Sequence, residues 1–596
     1  MTDQSDPTLH DHPVSAQPMS ASAPKGQPND STKKGTSTPW PQGLGLGAWN
    51  LYFLGKFALA AAGYLTLNAL WNALLFVGLI FPVRSRLVNR VRHAIGLIAA
   101  VALLWSESYL PAPDVIAKNA GNLAGFSAAY LRELIVGFVN PEMVLWGFVG
   151  AGLWYVLRDW FRFTSVTVIG LLVVAFPQLT SLLPSSTVSA PGNTTAVVAT
   201  NTVTTDGVLS PAQTQKADTE GISAWVNAFY DYEKTRKATF PAGAVDVAKS
   251  GAFDIVLINI CSLANDDVVA SGLEKSPEWE RLTSRMDVRF TNFNTATSYS
   301  GPATLRLLTG VCGQPSHAEL YEGRRENCEL LGRLAKAGWS EQLFMDHDGK
   351  YDDYLTGLRT LGGLSVALDD QSRYHKGMES FDGSPIYATR DVFKSWEASL
   401  PKTPSRTVTL MNLVTLHDGA RDPASQDPID FKPRAQALFA EINALMDRVA
   451  ASKRKVLFVV VPEHGAALRG DKIQVAKLRE IPSPLITHVP VMVKFFGLDG
   501  AHPSPPLVVD TPTSYLALSE LIGRTVDNGV YADAVKTAEA KDANAQSANA
   551  STVATLIKDL PQTWPVSSNS SATVVDDYQG KTYLRLKEGK WLEYKQ

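Results

Sequence analysis

Between Trp49 and Leu183 the chain carries four long apolar stretches, Trp49–Val83, Ala94–Trp105, Met143–Val156 and Val166–Leu183, and this pattern constrains its fold more than anything else in it. Runs this apolar suit a bilayer better than the core of a soluble protein. The first is long for one span, is interrupted by no charge except Lys56, and divides into two near 49–66 and 68–83. About five helical spans are therefore expected. Basic clusters stand at Arg84, Arg86, Arg90, Arg92 and His93, and again at Arg158 and Arg162. Placing both in the cytoplasm puts the N-terminus inside and everything after the last span outside. A single first span would relocate only the tail.

The flanks divide the remainder. Residues 1–46, rich in Ser, Pro, Asp, Gln and Lys, cannot bury enough surface to offset their ordering entropy, so a disordered cytoplasmic tail is expected there. No apolar core with a small-residue cleavage site marks it as a secretory signal. The spans then occupy 47–184, and the Ser/Thr/Val/Ala tract 185–221 reads as a flexible linker. A globular domain covers 222–596, opening on a helix that carries Trp225, Phe229 and Tyr232. A net charge of −3, with no basic-aromatic stripe, gives no support for nucleic-acid binding.

Within that domain short apolar runs alternate with helical stretches: Phe253–Ile260, Val408–Leu416, Val456–Val461 and Val489–Phe496. Continuous Val/Ile/Leu runs with helices between them imply an α/β fold whose mostly parallel sheet is covered on both faces. Ala538–Ala550 reads as a loop insertion, and Thr573–Tyr594 as a closing β-meander with turns at Gly580 and Gly589. Ligands of parallel sheets gather beyond the carboxyl ends of the strands. The polar residues there are Cys261-Ser262, His417-Asp418-Gly419 and Pro462-Glu463-His464-Gly465. A further polar turn, Phe290 to Ser300, empties into a helix, with Ser300 expected as its N-cap and Pro302 in its first turn.

Cys261, Ser300, Glu463 and His464 together offer a sulfur, a hydroxyl, a carboxylate and an imidazole, the donor types of a zinc site. Zn²⁺ at such a site would activate the Ser300 hydroxyl, and the helix N-terminus would hold phosphoryl oxygens. His417 is placed to exchange a proton with an entering or leaving oxygen, and Arg479 to clamp phosphate charge. Structural explanations stand beside each assignment. Cys261 fits as a small buried hydrophobe, Glu463-His464 as a solvated turn, His417 as a donor to a backbone carbonyl, and Arg479 as a surface charge. His347 is the weaker candidate. Cys312 and Cys328 are expected to form a disulfide that pins the helix after Ser300.

The runs Phe253-Asp-Ile-Val-Leu-Ile-Asn-Ile-Cys-Ser262, Phe293-Asn-Thr-Ala-Thr-Ser-Tyr-Ser-Gly-Pro302, Cys312-Gly-Gln, Leu416-His-Asp-Gly419, Val461-Pro-Glu-His-Gly465 and Leu478-Arg-Glu-Ile-Pro-Ser-Pro484 closely resemble the BcsG family, the cellulose phosphoethanolamine transferases of bacterial cellulose secretion systems. The resemblance runs from about Trp49 to the C-terminus. It implies a multi-pass inner-membrane protein with a periplasmic, zinc-dependent, three-layer domain of the alkaline-phosphatase superfamily. In that reading Cys261, Ser300, Glu463 and His464 sit at the zinc, Ser300 is the nucleophile, and Tyr299, His417 and Arg479 serve the substrate. The implied donor is phosphatidylethanolamine, the acceptor the 6-hydroxyl of glucose units in cellulose, and the partners are subunits of the cellulose synthase complex. The longer tail, the altered linker and the Ala538–Ala550 insertion depart from the family pattern without touching the motifs. A sulfatase or phosphodiesterase of the same fold is the alternative, although Ser300-Gly-Pro-Ala303 lacks the arginine of a sulfatase motif. A decayed, non-enzymatic scaffold is the other.

Overall fold

The computed structural model describes residues 45–62, 65–81, 83, 85–108, 128, 130–132, 141–180, 219–401, 406–471, 473–498, 502–532, 552–576, 581–587 and 589–594. The expected tail up to residue 44, the linker up to residue 218, the 538–550 insertion and the Gly580 turn lie outside the described residues.

The apolar stretches form helices α1 (Trp49–Ala61), α2 (Ala69–Ile80), α3 (Arg86–Glu107), α4 (Pro141–Leu157) and α5 (Phe163–Thr180). Asn68 and Ser85 start α2 and α3 by accepting from the Trp71 and Val88 amides. Of the described helices α3 is long and apolar enough to cross a membrane, while the apolar parts of α2, α4 and α5 are shorter. Among the described residues the apolar stretches of the five-span expectation thus form these five helices, one of them a full-length span. Their polarity is inverted relative to a soluble bundle. Trp71, Ile98, Phe148 and Phe176 face outward, whereas Lys56, Asn72 and Glu107 are buried, Lys56 paired to Glu107 and donating to Asn72 Oδ1 at 2.7 Å.

In the C-terminal part the strands in chain order are β1 (Asp254–Ile260), β2 (Val288–Asn294), β3 (Ser340–Met345), β4 (Lys376–Glu379), β5 (Pro385–Tyr387) and β6 (Thr407–Leu413). They continue as β7 (Val456–Pro462), β8 (His488–Phe496), β9 (Leu507–Val509), β10 (Val566–Ser568), β11 (Ala572–Asp576), β12 (Thr582–Leu586) and β13 (Leu592–Tyr594). The main sheet has seven strands in the order β3-β6-β1-β7-β8-β2-β9. All its neighbours are parallel except the two pairs made by β8, which are antiparallel. The Val489–Phe496 run therefore departs from the expected parallel direction. β7 ends at the site edge, and the described residues of 463–487 hold no element long enough to carry the chain back, so the next strand starts at that edge and runs the other way.

Side chains of β1 alternate between two cores: Ile255 and Leu257 enter one, Val256, Ile258 and Ile260 the other. Helices α7 (Pro277–Ser284), α11 (Thr389–Ser399) and α12 (Phe431–Ser452) cover the second face through Leu282, Trp396 and Leu438. Helices α8 (Ser300–Leu308), α9 (Leu330–Ala337), α10 (Tyr354–Gly362) and α13 (Tyr515–Asp527) cover the first through Leu305, Leu334, Leu358 and Leu518. Each such fully buried aliphatic side chain contributes roughly 1.5–3 kcal/mol, which is why the layers hold their register. The closing meander is the antiparallel sheet β10–β13, one strand longer at its start than the sequence suggests. Helix α6 (Thr219–Thr235) packs Ile222, Val226 and Phe229 onto it, beginning just inside the expected linker. Cys312 and Cys328 are bonded, tying the end of α8 to the approach of α9.

Candidate functional site

Register brings the site together. Ile260 lies opposite Leu413 on one side and Pro462 on the other, so β1, β6 and β7 end level. Cys261 continues β1, with its amide donating to Leu413 O at 2.8 Å, and the Glu463 amide donates to Ile260 O at 2.9 Å. Ser262 follows with φ 68°, a left-handed conformation that costs a non-glycine residue about 1–3 kcal/mol and turns its hydroxyl toward Arg479.

Ser300 is not the cap of α8, contrary to expectation. Tyr299 occupies the N-cap position without a side-chain capping bond, and Ser300 is the first helical residue. Its hydroxyl is thereby free for other contacts, and it lies 3.1 Å from His464 Nε2 and 3.3 Å from Cys261 Sγ. Cys261 Sγ is 3.8 Å from His464 Nε2. His464 Nδ1 donates to Gly465 O at 2.8 Å, which leaves Nε2 with its lone pair facing Ser300 and Cys261.

Glu463 is wholly buried and asymmetric. Its Oε1 accepts from Asn412 Nδ2 at 2.6 Å, Thr304 Oγ1 at 2.8 Å and the Tyr354 hydroxyl at 3.2 Å. Its Oε2 has no hydrogen-bond partner among the described residues. One carboxylate, thiol and imidazole atom each from Glu463, Cys261 and His464 lie within 4.8 Å of one another. An unpartnered buried carboxylate oxygen beside a sulfur and an imidazole lone pair is costly as it stands, and it is the donor set that a borderline-soft divalent cation satisfies. Burial, and after it the charge of Glu463, pushes the Cys261 thiol up to about 12. A cation held there reverses that and favours the thiolate. The residues fit Zn²⁺.

On the open side stand the remaining expected residues. Arg479 donates from Nη1 to Ser262 Oγ and from Nη2 to Asp418 Oδ1, both at 2.9 Å. His417 Nδ1 donates to Asp418 O at 2.9 Å, and its Nε2 accepts a long contact from Arg479 Nη2 at 3.5 Å. Burial and the Arg479 charge depress the His417 imidazole against the opposing pull of Asp418, which favours its neutral form. Tyr299 donates to Glu480 Oε1 at 2.7 Å. His347 also reaches the site, bonding Asn412 Oδ1 through Nε2 at 2.8 Å. A cleft of about 280 Å³ opens over Ser300, with Tyr299, Tyr351, Phe381 and Asp382 in its walls. The first-turn amides of α8 and the Arg479 guanidinium provide the positive potential an anionic group needs.

Sequence reasoning missed the supports. Asn259 and Asn412 are joined by an Nδ2–Oδ1 bond of 2.8 Å, and Thr304 Oγ1 lies 2.9 Å from Asn259 Oδ1. An asparagine near the end of each largely apolar, wholly buried strand, Asp254–Ile260 and Thr407–Leu413, was the available signal, because a buried amide needs a polar partner. Asp418 was visible only as the neighbour of His417. Nothing in the sequence marked Tyr354 or Glu480.

Comparison with known proteins gives concordant matches. The model of the cellulose biosynthesis protein BcsG C-terminal domain matches residues 207–591, and that of the BcsG N-terminal domain matches residues 49–176. The chain is 41% identical over 568 residues to the cellulose biosynthesis protein BcsG of Salmonella typhimurium, covering 94% of this chain and 98% of that one. It is 39% identical over 571 residues to that of Escherichia coli, with the same coverage. Among solved structures it is similar to the integral membrane lipooligosaccharide phosphoethanolamine transferase A of Neisseria meningitidis, at 13% identity and a TM-score of 0.39, covering 81% of this chain and 96% of that one.

Proposed function

The chain belongs to the BcsG family of cellulose biosynthesis proteins, and from that premise we propose that it transfers phosphoethanolamine from phosphatidylethanolamine to the 6-hydroxyl of glucose units in secreted cellulose, through a covalent intermediate on Ser300. The observation that carries the reading is the Ser300 hydroxyl at the mouth of α8, within 3.3 Å of both Cys261 Sγ and His464 Nε2.

In the first half of the reaction Ser300 Oγ forms a bond to phosphorus and the bond from phosphorus to the diacylglycerol oxygen breaks. The serine proton leaves, overall, with diacylglycerol. In the second half a glucan O6 attacks phosphorus and the bond to Ser300 Oγ breaks. His417 Nε2, neutral and with its lone pair unused by Nδ1–H, accepts the glucan hydroxyl proton, which finally returns to Ser300. Arg479, fixed at two points by Ser262 and Asp418, holds phosphoryl oxygens, and Tyr299 lines the approach. Cys261, Glu463 and His464, with Ser300, would hold Zn²⁺, which when bound lowers the pKa of the serine hydroxyl and screens the phosphoryl charge.

A donor that is a membrane lipid fits a chain anchored by α1–α5 in a bacterial inner membrane, with residues 222–596 on the periplasmic side beside the cellulose synthase subunits. The outward-facing apolar surface of α2–α5 supports the membrane part of this reading. Solid-state phosphorus NMR of exported polysaccharide tests the reading. A phosphodiester signal that requires this gene is expected, and an unchanged polysaccharide in its absence rejects transfer to glucan in favour of hydrolysis or a scaffold role.

A further inference from the structure

One contact of the site comes from outside the C-terminal domain. Tyr130 lies in the connection between α3 and α4, far from the site in sequence. Its hydroxyl donates to Asp418 Oδ2 at 3.0 Å, the carboxylate oxygen that Arg479 does not use. Its ring sits 5.7 Å from Phe381, which in turn stacks on His417 at 4.8 Å and 29°. The fit is close at Gly419, where φ is +75° and a Cβ would meet Tyr130 Cε2 at 2.8 Å and Phe381 Cβ at 2.7 Å. The glycine of Leu416-His-Asp-Gly419 is therefore required twice, by backbone conformation and by the tyrosine seated against it.

Asp418 is only 10% exposed; its Oδ1 holds the Arg479 guanidinium at 2.9 Å and also lies 3.3 Å from His417 Nδ1, beside the 2.9 Å bond that Nδ1 makes to the Asp418 carbonyl. A buried carboxylate with one oxygen unbonded can rotate or draw in water, and either would loosen both groups. We propose that Tyr130 is a positioning residue of this site: its hydroxyl and ring lock Asp418, and through it Arg479 and His417, so that the N-terminal membrane part completes a site the C-terminal domain alone leaves unfinished. This rests on the reading of the site given above. It also places Tyr130 on the same side of the membrane as the C-terminal domain, in keeping with the arrangement expected from the arginine clusters. Phosphoryl transfer is thereby tied to a chain docked against its own anchor, where the lipid donor is.

The test uses the full chain in vesicles containing phosphatidylethanolamine, with diacylglycerol release as the readout. Tyr130→Phe keeps the ring and removes one hydrogen bond to a charged group, so kcat is expected to fall about tenfold with KM within about twofold. In an Asp418→Asn background the same change is expected to have no further effect beyond about twofold, since the group it positions is already altered. Equal losses in both backgrounds, or none in the wild type, overturn the proposal. A photoreactive benzoylphenylalanine at position 130 separates this from the reaction itself. It is expected to cross-link to residues 381–419, and a cross-link elsewhere, or none, refutes the placement. A cross-link there from the benzoylphenylalanine protein, with a wild type that releases no diacylglycerol, supports the docking and removes the proposed reaction instead.

Discussion

Thr304→Val retains the volume of a wholly buried side chain in α8 and deletes only the hydroxyl that bonds Glu463 Oε1 at 2.8 Å. Asn259 Oδ1 keeps its bond from Asn412, and Glu463 keeps its bonds from Asn412 and Tyr354. The change thus removes one of three donors to a buried carboxylate without opening a cavity. A hydrogen bond to a charged group contributes about 1.5–3 kcal/mol, and with two donors remaining the lower figure applies. Because the lost bond fixes the orientation in which Oε2 faces Cys261 and His464, the effect falls on the metal, as about a tenfold weaker affinity for Zn²⁺. Competition between the purified full chain and a chromophoric chelator measures this directly, with thermal unfolding of the metal-free protein as the control for folding. An affinity within about twofold of wild type refutes the idea that the Asn259–Asn412–Thr304 network orients a metal ligand.

Arg479→Lys should reduce turnover by at least about tenfold, since a point charge cannot bond Ser262 and Asp418 at once while facing a phosphate; steady-state kinetics on a lipid donor checks it. The pH dependence follows from His417. Its imidazole is held below the ordinary value near 6.5, so its neutral form persists at neutral pH and is lost only when pH falls through the depressed pKa. The acid limb of kcat is therefore expected below about pH 6.5. A limb at or above that value contradicts the assigned base.

The C-terminal fold was legible because strand-length runs of Val, Ile and Leu, separated by amphipathic stretches, admit few arrangements, and because parallel strands that end level must bring their following residues together. That reasoning set Cys261, Glu463, His464 and His417 at one sheet edge, where the structure also has them. The direction of β8 was not legible, since an apolar run looks the same whichever way it travels. The role of Ser300 was misassigned locally, because serine before Gly-Pro satisfies the pattern of a cap equally well when the true cap is Tyr299 and the hydroxyl is turned to the site. The supports escaped for a different reason: Thr304, Tyr354 and Tyr130 are ordinary residues in their own segments and acquire meaning only from what tertiary packing sets beside them. In the N-terminal part the apolar stretches predicted where helices form but not their lengths.

The central claim is that Ser300 carries phosphoethanolamine. Intact-mass and peptide mapping of the full chain after incubation with phosphatidylethanolamine vesicles, in the absence of glucan, measures it most directly. The expected result is a phosphoethanolamine adduct on the peptide containing Ser300 that disappears when a glucan acceptor is added and never forms in Ser300→Ala. An adduct that survives Ser300→Ala, or transfer to glucan that proceeds in that variant, contradicts the account.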